Sequence, residues 1–234
     1  MPTMGKPKKK SPARKTTKSS KKQVRKGLRP PKRTAAKPAA RSASKPGSKP
    51  GLTNRTISFE GLSLRQIAAR LSAYLTKCGY GPALIGKACA ALHVGTSIKP
   101  KSLDLVLREY QVNELKAAMS RIGFRNTEMN TFESNRCPLA VVISPPPISV
   151  GDDIVDSLQI IKTRDGDIRT LDPTDCVRQL LSMYYRWGDR DAMEDAIAVA
   201  SKHAIDLDLV RRWSEWEWCT DRFEEFLTEL KKGS

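Results

Sequence analysis

The sequence predicts an α/β (α+β) fold in which a small mixed-sheet core is followed by a C-terminal helical bundle and preceded by a disordered basic tail. Three observations support this prediction. Large apolar residues are rare, and acidic residues absent, before about residue 57. Short apolar runs bounded by glycine and proline then alternate with helical patterns up to about residue 170. From residue 171 onward, apolar residues recur only at helical spacing. The predicted regions are therefore 1–56, 57–170 and 171–234.

The tail contains 19 of the 42 Lys and Arg residues and none of the 25 acidic residues. Such a segment cannot bury enough apolar surface to offset the entropy of ordering, so we expect it to be disordered. In composition it resembles the basic tails of linker-histone-like proteins. A flexible polycation binds phosphates by releasing counterions, which predicts DNA or RNA as a partner; a solubilising or localisation role is the alternative. The predicted contacts include Lys8, Lys9, Lys10, Lys21, Lys22, Arg25, Lys26, Lys32 and Arg33.

The core elements are predicted from the residues that begin or end helices and strands and from the spacing of apolar residues. Ser63 and Gln66 have the spacing of a capping box, with apolar residues at helical spacing behind them. Gly79 and Gly81 end that helix and lead into a strand. The expected elements, in chain order, are a helix from Leu64, a strand to Ile85, a helix over 88–93, a strand over 103–107, a helix from Val112, and strands over 139–143 and 158–161. Four helices are expected after Leu171, over 174–185, 189–203, 207–218 and 221–231.

Residues 84–107 carry the strongest functional signal. A strand ends at a glycine that opens a helix, a small-residue turn follows, and the next strand carries Asp104. Backbone N–H groups at such a helix start face phosphates, and a carboxylate on the adjacent strand holds Mg²⁺. The sequence therefore predicts Asp104 as a catalytic and metal-binding residue. The predicted nucleotide-binding residues are Gly86, Lys87, Gly95, Thr96, Ser97 and Ser102.

With these motifs, the region from about residue 62 to 218 resembles the minimal nucleotidyltransferase superfamily, in its bacterial form related to abortive-infection toxins. Leu84-Ile85-Gly86-Lys87 is similar to the glycine element, and Ser102-Leu103-Asp104-Leu105 to the Asp-x-Asp strand. Leu171-Asp172-Pro173-Thr174-Asp175 and the acidic run at 189–195 resemble the later motifs. The resemblance implies a core of nucleotidyltransferase type, and it adds Asp191 and Asp195 as pocket residues. Mg²⁺ and a nucleoside triphosphate are the cofactors it implies for an active enzyme.

Three departures from the family pattern predict a domain that has lost catalysis. Ser102 stands where the first Asp is expected, Gln179 where a Lys is expected, and the strand at 139–143 has no acid. Two-metal transfer requires carboxylates that span both ions. We therefore expect a nucleic-acid-associated protein with a degenerate domain that binds a nucleotide, RNA or a protein partner. The alternatives are an active toxin-type transferase acting on tRNA or protein, and a basic architectural protein.

The remaining signals concern compartment and packing. Five scattered cysteines without CxxC spacing favour a reducing compartment and argue against a zinc site. No apolar run is long enough for a membrane span, and the prolines of the tail argue against an organelle transit peptide. We expect a cytoplasmic or nucleoid-associated protein, or a nuclear one if the source is eukaryotic. Bundle packing is expected for most of Trp213, Trp216, Trp218, Phe223 and Phe226, with base stacking as the alternative.

Overall fold

The computed structural model describes residues 57–95, 97–155 and 157–233. The basic residues predicted to contact nucleic acid all precede residue 57, and they lie outside this range, as does Thr96. Within the described ranges, no helix is long and apolar enough to cross a membrane.

Seven helices and nine strands make up the described part of the chain. The helices are α1 Leu64–Lys77, α2 Gly86–Val94, α3 Val112–Arg121, α4 Pro173–Trp187, α5 Arg190–Ala200, α6 Leu207–Trp216 and α7 Thr220–Lys232. The strands are β1 Ala83–Ile85, β2 Ser102–Val106, β3 Arg125–Glu128, β4 Thr131–Glu133, β5 Ala140–Ser144, β6 Ser149–Val150, β7 Asp153–Ile154, β8 Gln159–Ile161 and β9 Ile168–Thr170. The fold is thus the mixed α/β class that the sequence predicts.

Seven of the strands form one mixed sheet in the order β3-β4-β5-β2-β1-β9-β8, and β6 and β7 form a separate hairpin. At the centre of the sheet, β1 runs antiparallel to β2, and β2 runs parallel to β5. A parallel pair needs a crossover, which α3 and the β3–β4 hairpin supply between β2 and β5. This arrangement places the end of β1, the start of α2 and the start of β2 side by side.

Helix starts are fixed by side-chain caps at the positions that the sequence indicates. The Ser63 hydroxyl accepts a hydrogen bond from the Gln66 N–H, and Oε1 of Gln66 accepts one from the Ser63 N–H, which confirms the capping box. Asp172, Asp189 and Asp206 cap α4, α5 and α6 in the same way. A side-chain N-cap contributes about 1 kcal/mol to helix stability, since it satisfies N–H groups that no helical carbonyl reaches.

Two apolar clusters hold the fold together, and α2 contributes to both. The first cluster packs α1 and α3 against one face of the sheet, and Ala88 and Leu92 of α2 join it. The second joins Cys89, Ala90 and Val94 of α2 to the helices α4 to α7. A helix that is apolar on all sides must be buried, which explains why α2 lacks the amphipathic pattern of α1. Helix α2 is therefore the element that links the core to the bundle.

The structure adds five strands that the sequence does not predict, namely β3, β4, β6, β7 and β9, and it shortens two of the expected helices. Strands β3 and β4 form a hairpin, and Phe132 is their one buried residue, so apolar alternation gives little signal there. Strands β6 and β7 have two residues each. The helix expected over 189–203 ends at Ala200. The helix expected over 207–218 ends at Trp216, because Trp218 takes a left-handed backbone conformation with φ of 59°.

Candidate functional site

The centre of the candidate site is the contact between Gly86 and Asp104. Ile85, the last residue of β1, pairs with Asp104 of β2 across the antiparallel ladder, so the first residue of α2 lies against the carboxylate. Gly86 has a φ of +69°, and a Cβ added there would lie 2.7 Å from Oδ2 of Asp104. Both the left-handed backbone and the close approach therefore require glycine at this position.

Asp104 is half-buried and has one hydrogen-bond donor from its own strand. The Ser102 hydroxyl donates to Oδ1 of Asp104 over 2.9 Å, since residues two apart on a strand share a face. Burial raises the pKa of the Asp104 carboxyl above its ordinary value, and the bond from Ser102 offsets part of that rise. The Ser102 hydroxyl is thus a hydrogen-bond partner of the Asp104 carboxylate.

The neighbouring strand brings no second carboxylate to this face. In the parallel ladder, Val142 of β5 pairs with Asp104, and Ala140 pairs with Ser102. Among the described residues, Asp104 belongs to no group of three or more side chains that could hold a metal ion. Mg²⁺ prefers several hard, charged oxygens in octahedral geometry. The residues present therefore do not fit the pair of magnesium ions that two-metal transfer needs.

The backbone N–H that would face a phosphate is bonded within the protein. Gly86 donates its N–H to Oε1 of Gln179 on α4, over 2.7 Å. A helix N-terminus binds anions through such N–H groups, so the Gln179 amide occupies a place that a phosphate oxygen could take. A lysine at this position would add positive charge near the turn, whereas glutamine supplies a neutral acceptor.

Lys87 is also paired inside the protein. Its ammonium lies 3.8 Å from a carboxylate oxygen of Asp189 and 3.8 Å from one of Asp195. Burial raises the pKa of Asp195, and the Lys87 ammonium lowers it in part. Asp191 is exposed, and it acts on Asp195 only through its charge. Of the two acids predicted as pocket residues, Asp195 therefore lies beside Lys87. Asp189, which the sequence does not single out as a pocket residue, lies there as well.

The predicted nucleotide-binding residues do not all come together. Gly95 ends α2, whereas Gly86 begins it, and a helix of nine residues rises about 13 Å. Gly95 and the exposed Ser97 that follows it are thus at the opposite end of the helix from Asp104. The sequence grouped them with Gly86 because the turn follows closely along the chain, but the rise of α2 separates the two turns.

A second group of polar side chains meets between α2 and α4, although the absence of CxxC spacing argues against a zinc site in this sequence. Donor atoms of Cys89, His93 and Cys176 all lie within 4.8 Å of one another. Both cysteines are fully buried, and His93 is partly exposed. Spacing rules missed this group, because Cys176 reaches it from a different helix far along the chain.

The aromatic residues of the bundle divide into two groups. Trp213, Phe223 and Phe226 are buried in the second apolar cluster, as expected for most of these five side chains. Trp216 and Trp218 are instead 74% and 94% exposed. They share a surface with Glu215, Glu217 and Arg212, so the charge around them is mixed and does not single out a nucleic-acid surface.

No protein-family model matches the chain, and no curated protein matches it. Among solved structures, it is similar to an antigenic nucleotidyltransferase-like protein from Paracoccidioides brasiliensis, with 14% identity, a TM-score of 0.47, and coverage of 61% of this chain and 78% of that one. It is also similar to the antibiotic-resistance factor ANT(2'')-Ia in solution, with 15% identity and a TM-score of 0.44 over 73% and 95% of the two chains. The crystal structure of ANT(2'')-Ia with adenylyl-2''-tobramycin gives 11% identity and a TM-score of 0.42 over 72% and 97%. At these values no residue role transfers to this chain.

Proposed function

We propose that this chain is a nucleic-acid-associated protein whose nucleotidyltransferase-like domain does not catalyse transfer. One observation carries the proposal: each group that would hold a metal–triphosphate complex is already paired with another group of the protein. The Gly86 N–H is bonded to Gln179, the Lys87 ammonium lies between two carboxylates, and Asp104 is bonded to Ser102. The contact of Gly86 with Asp104 supports the relation to the transferases, and the pairing supports the loss of activity.

The chemistry of transfer gives the size of the expected loss. A two-metal site clamps the attacking and the leaving oxygen between carboxylates, but Asp104 faces Val142 where another acid would be useful. Loss of one group that stabilises developing charge costs about 3 kcal/mol, or roughly a hundredfold in rate. Ser102, Gln179 and Val142 are three such positions, so the combined loss brings the rate close to that of the uncatalysed reaction.

A transfer assay on the full chain tests this proposal. The protein is incubated with each labelled nucleoside triphosphate, with Mg²⁺ or Mn²⁺, and with RNA and protein acceptors. We expect no label transfer above that of a matched Asp104→Ala variant. Transfer that disappears in Asp104→Ala, but not in a variant at an exposed acid such as Asp208→Ala, would establish the active toxin-type enzyme instead.

The basic tail supports the nucleic-acid part of the proposal through its charge alone. A polycation of this kind binds DNA or RNA without reading sequence, and its affinity falls steeply with salt. Deleting residues 1–55 should weaken binding to both nucleic acids at low salt by at least tenfold, and it should flatten the dependence of log affinity on log salt concentration. If the truncated protein binds as tightly as the full chain, the tail is not the binding element.

A further inference from the structure

The cluster of Cys89, His93 and Cys176 joins two helices from different parts of the fold. Cys89 and His93 are four residues apart on α2, a spacing that places both side chains on one face of a helix. Cys176 lies in the first turns of α4, and it faces them from across the second apolar cluster. The three donor atoms converge to within 4.8 Å of one another.

These separations are close to what a tetrahedral metal centre requires. With metal–sulfur bonds of about 2.3 Å and metal–nitrogen bonds of about 2.0 Å, tetrahedral ligand atoms lie roughly 3.5–3.8 Å apart. Donors already within 4.8 Å reach that spacing by small side-chain rotations. The i, i+4 pair on α2 fixes two of the three ligands before the metal arrives, so little ordering entropy remains to oppose binding.

His93 makes a hydrogen bond of the kind that metal-binding histidines commonly make. Its Nε2 lies 3.1 Å from the Leu171 carbonyl oxygen, which can only accept a hydrogen bond. Nε2 therefore carries the proton, and Nδ1 keeps the lone pair. Metal-ligating histidines commonly donate their other N–H to a backbone carbonyl, because this bond holds the ring and raises its basicity. The His203 ring packs edge-on against His93 at 5.3 Å and further limits its rotation.

The charges of the cluster also suit a divalent ion. A buried charge is costly unless it is compensated, and both sulfur atoms belong to fully buried residues. Two thiolates and a neutral imidazole together carry the charge that cancels a divalent cation.

We propose that Cys89, His93 and Cys176 bind one thiophilic divalent cation of the Zn²⁺ type, with water as the fourth ligand. Thiolate and imidazole are the donors that such ions prefer, whereas Mg²⁺ prefers oxygen. Cys89 is three residues after Gly86, and Cys176 is three residues before Gln179, so the ion ties together the two helices that form the Gly86–Gln179 contact. This role is structural, and it does not depend on the proposed function.

Cobalt titration of the full chain tests the proposal, because Co²⁺ replaces Zn²⁺ and reports thiolate ligation by its absorption. The protein is purified under reducing conditions, freed of metal, and titrated with Co²⁺. We expect one equivalent to bind with a sulfur-to-metal charge-transfer band, and excess Zn²⁺ to abolish that band. Zn²⁺ at about a hundredfold over its dissociation constant should raise the thermal midpoint by roughly 5 °C or more.

Matched variants separate this site from the other cysteines. Cys89→Ser and Cys176→Ser should weaken Co²⁺ binding at least a hundredfold, whereas Cys137→Ser, which changes a cysteine in the first apolar cluster, should leave it unchanged. Where a variant fails to fold, the wild-type titration decides alone. The proposal is overturned if wild-type protein shows no charge-transfer band and no shift of the midpoint, or if Cys89 and Cys176 form a disulfide in protein isolated under reducing conditions.

Discussion

The two halves of α2 carry different polar groups, and they differ in how those groups are satisfied. At the N-terminal end, the Gly86 N–H and the Lys87 ammonium already have protein partners in Gln179 and in the two acids of α5. In the rest of the helix, the donor atoms of Cys89 and His93 lie close to that of Cys176, and no cationic side chain belongs to this group. The start of α2 therefore resembles an anion site that the protein's own side chains occupy. The Cys89–His93 region resembles a cation site that side chains form.

This difference indicates how a protein can keep the geometry of a ligand site when no ligand is bound there. A buried polar group without a partner costs about 1–3 kcal/mol, so a site that loses its ligand destabilises the fold unless side chains replace that ligand. At the start of α2, Gln179 accepts from the Gly86 N–H and Asp195 pairs with the Lys87 ammonium, so both polar groups are satisfied within the protein. The proposed loss of a phosphate ligand would therefore leave no unpaired group at these two positions.

The largest expected effect comes from Gly86→Ala. Alanine loses about 1–2 kcal/mol in the left-handed conformation, and its Cβ also meets the Asp104 carboxylate at 2.7 Å. We expect the free energy of unfolding to fall by about 2–3 kcal/mol in chemical denaturation. Gly188→Ala is the matched control, since Gly188 also has positive φ but nothing within 4 Å of its added Cβ. Equal losses of unfolding free energy in the two variants would show that the Asp104 carboxylate does not obstruct a Cβ at position 86.

The next effect concerns the bond that closes the helix start. Gln179→Ala removes the acceptor of the Gly86 N–H, which should lower the free energy of unfolding by about 1 kcal/mol. The freed N–H should also let inorganic triphosphate raise the thermal midpoint of the variant more than that of the wild type. Gln159→Ala, at an exposed glutamine of β8, is the control. If triphosphate stabilises wild type and Gln179→Ala alike, Gln179 does not block an anion site.

A smaller loss is expected for Lys87→Met. A partly exposed ion pair contributes less than about 1 kcal/mol, and here one cation serves two acids. Without Lys87 the pKa of Asp195 rises further, so the loss should be present at neutral pH and should shrink as pH falls through the pKa of Asp195. Lys162→Met, which breaks the exposed pair with Asp167, is the comparison. A loss that is constant across the pH series would contradict this pairing.

The smallest effect has the opposite sign. Burial raises the pKa of Asp104 in the folded state, so the folded protein binds more protons than the unfolded one between the unfolded and folded pKa values. The free energy of unfolding then falls as pH rises through this window. At neutral pH the wild type has the full destabilisation that comes from ionising the buried Asp104 carboxyl. Asp104→Asn should therefore be more stable than wild type at neutral pH, with the difference vanishing in acid. A variant that is less stable at neutral pH would mean that the charged carboxylate has a favourable partner.

The sequence predicts the elements of this protein well where patterning is strong. The capping box at Ser63, the strand that ends at Gly86 and the four C-terminal helices all have apolar periodicity or caps that local physics determines. The β3–β4 hairpin is not predicted, because its strands lie near one edge of the sheet and Phe132 is the one residue in them that is buried. The pattern of apolar residues cannot reveal a strand that buries so little apolar surface.

The candidate site was predictable only in part, since local motifs fix single residues but not their partners. The contact of Gly86 with Asp104 follows from strand order, and the missing acid near Val142 follows from a count of charges. The partners of Lys87, and the meeting of Cys89 with Cys176, depend on how α4 and α5 pack against α2. Such contacts between distant segments are set by tertiary packing, which no spacing along the chain reveals.

The metal dependence of triphosphate binding is the most direct test of the claim that Asp104 no longer serves a two-metal site. Calorimetric titration of the full chain with each nucleoside triphosphate is done in Mg²⁺-free buffer without chelator, which leaves any thiolate-bound ion in place, and is then repeated with Mg²⁺. The account predicts that Mg²⁺ changes neither the affinity nor the heat, in wild type as in Asp104→Asn. Affinity that rises tenfold or more with Mg²⁺, and loses that gain in Asp104→Asn, would contradict it.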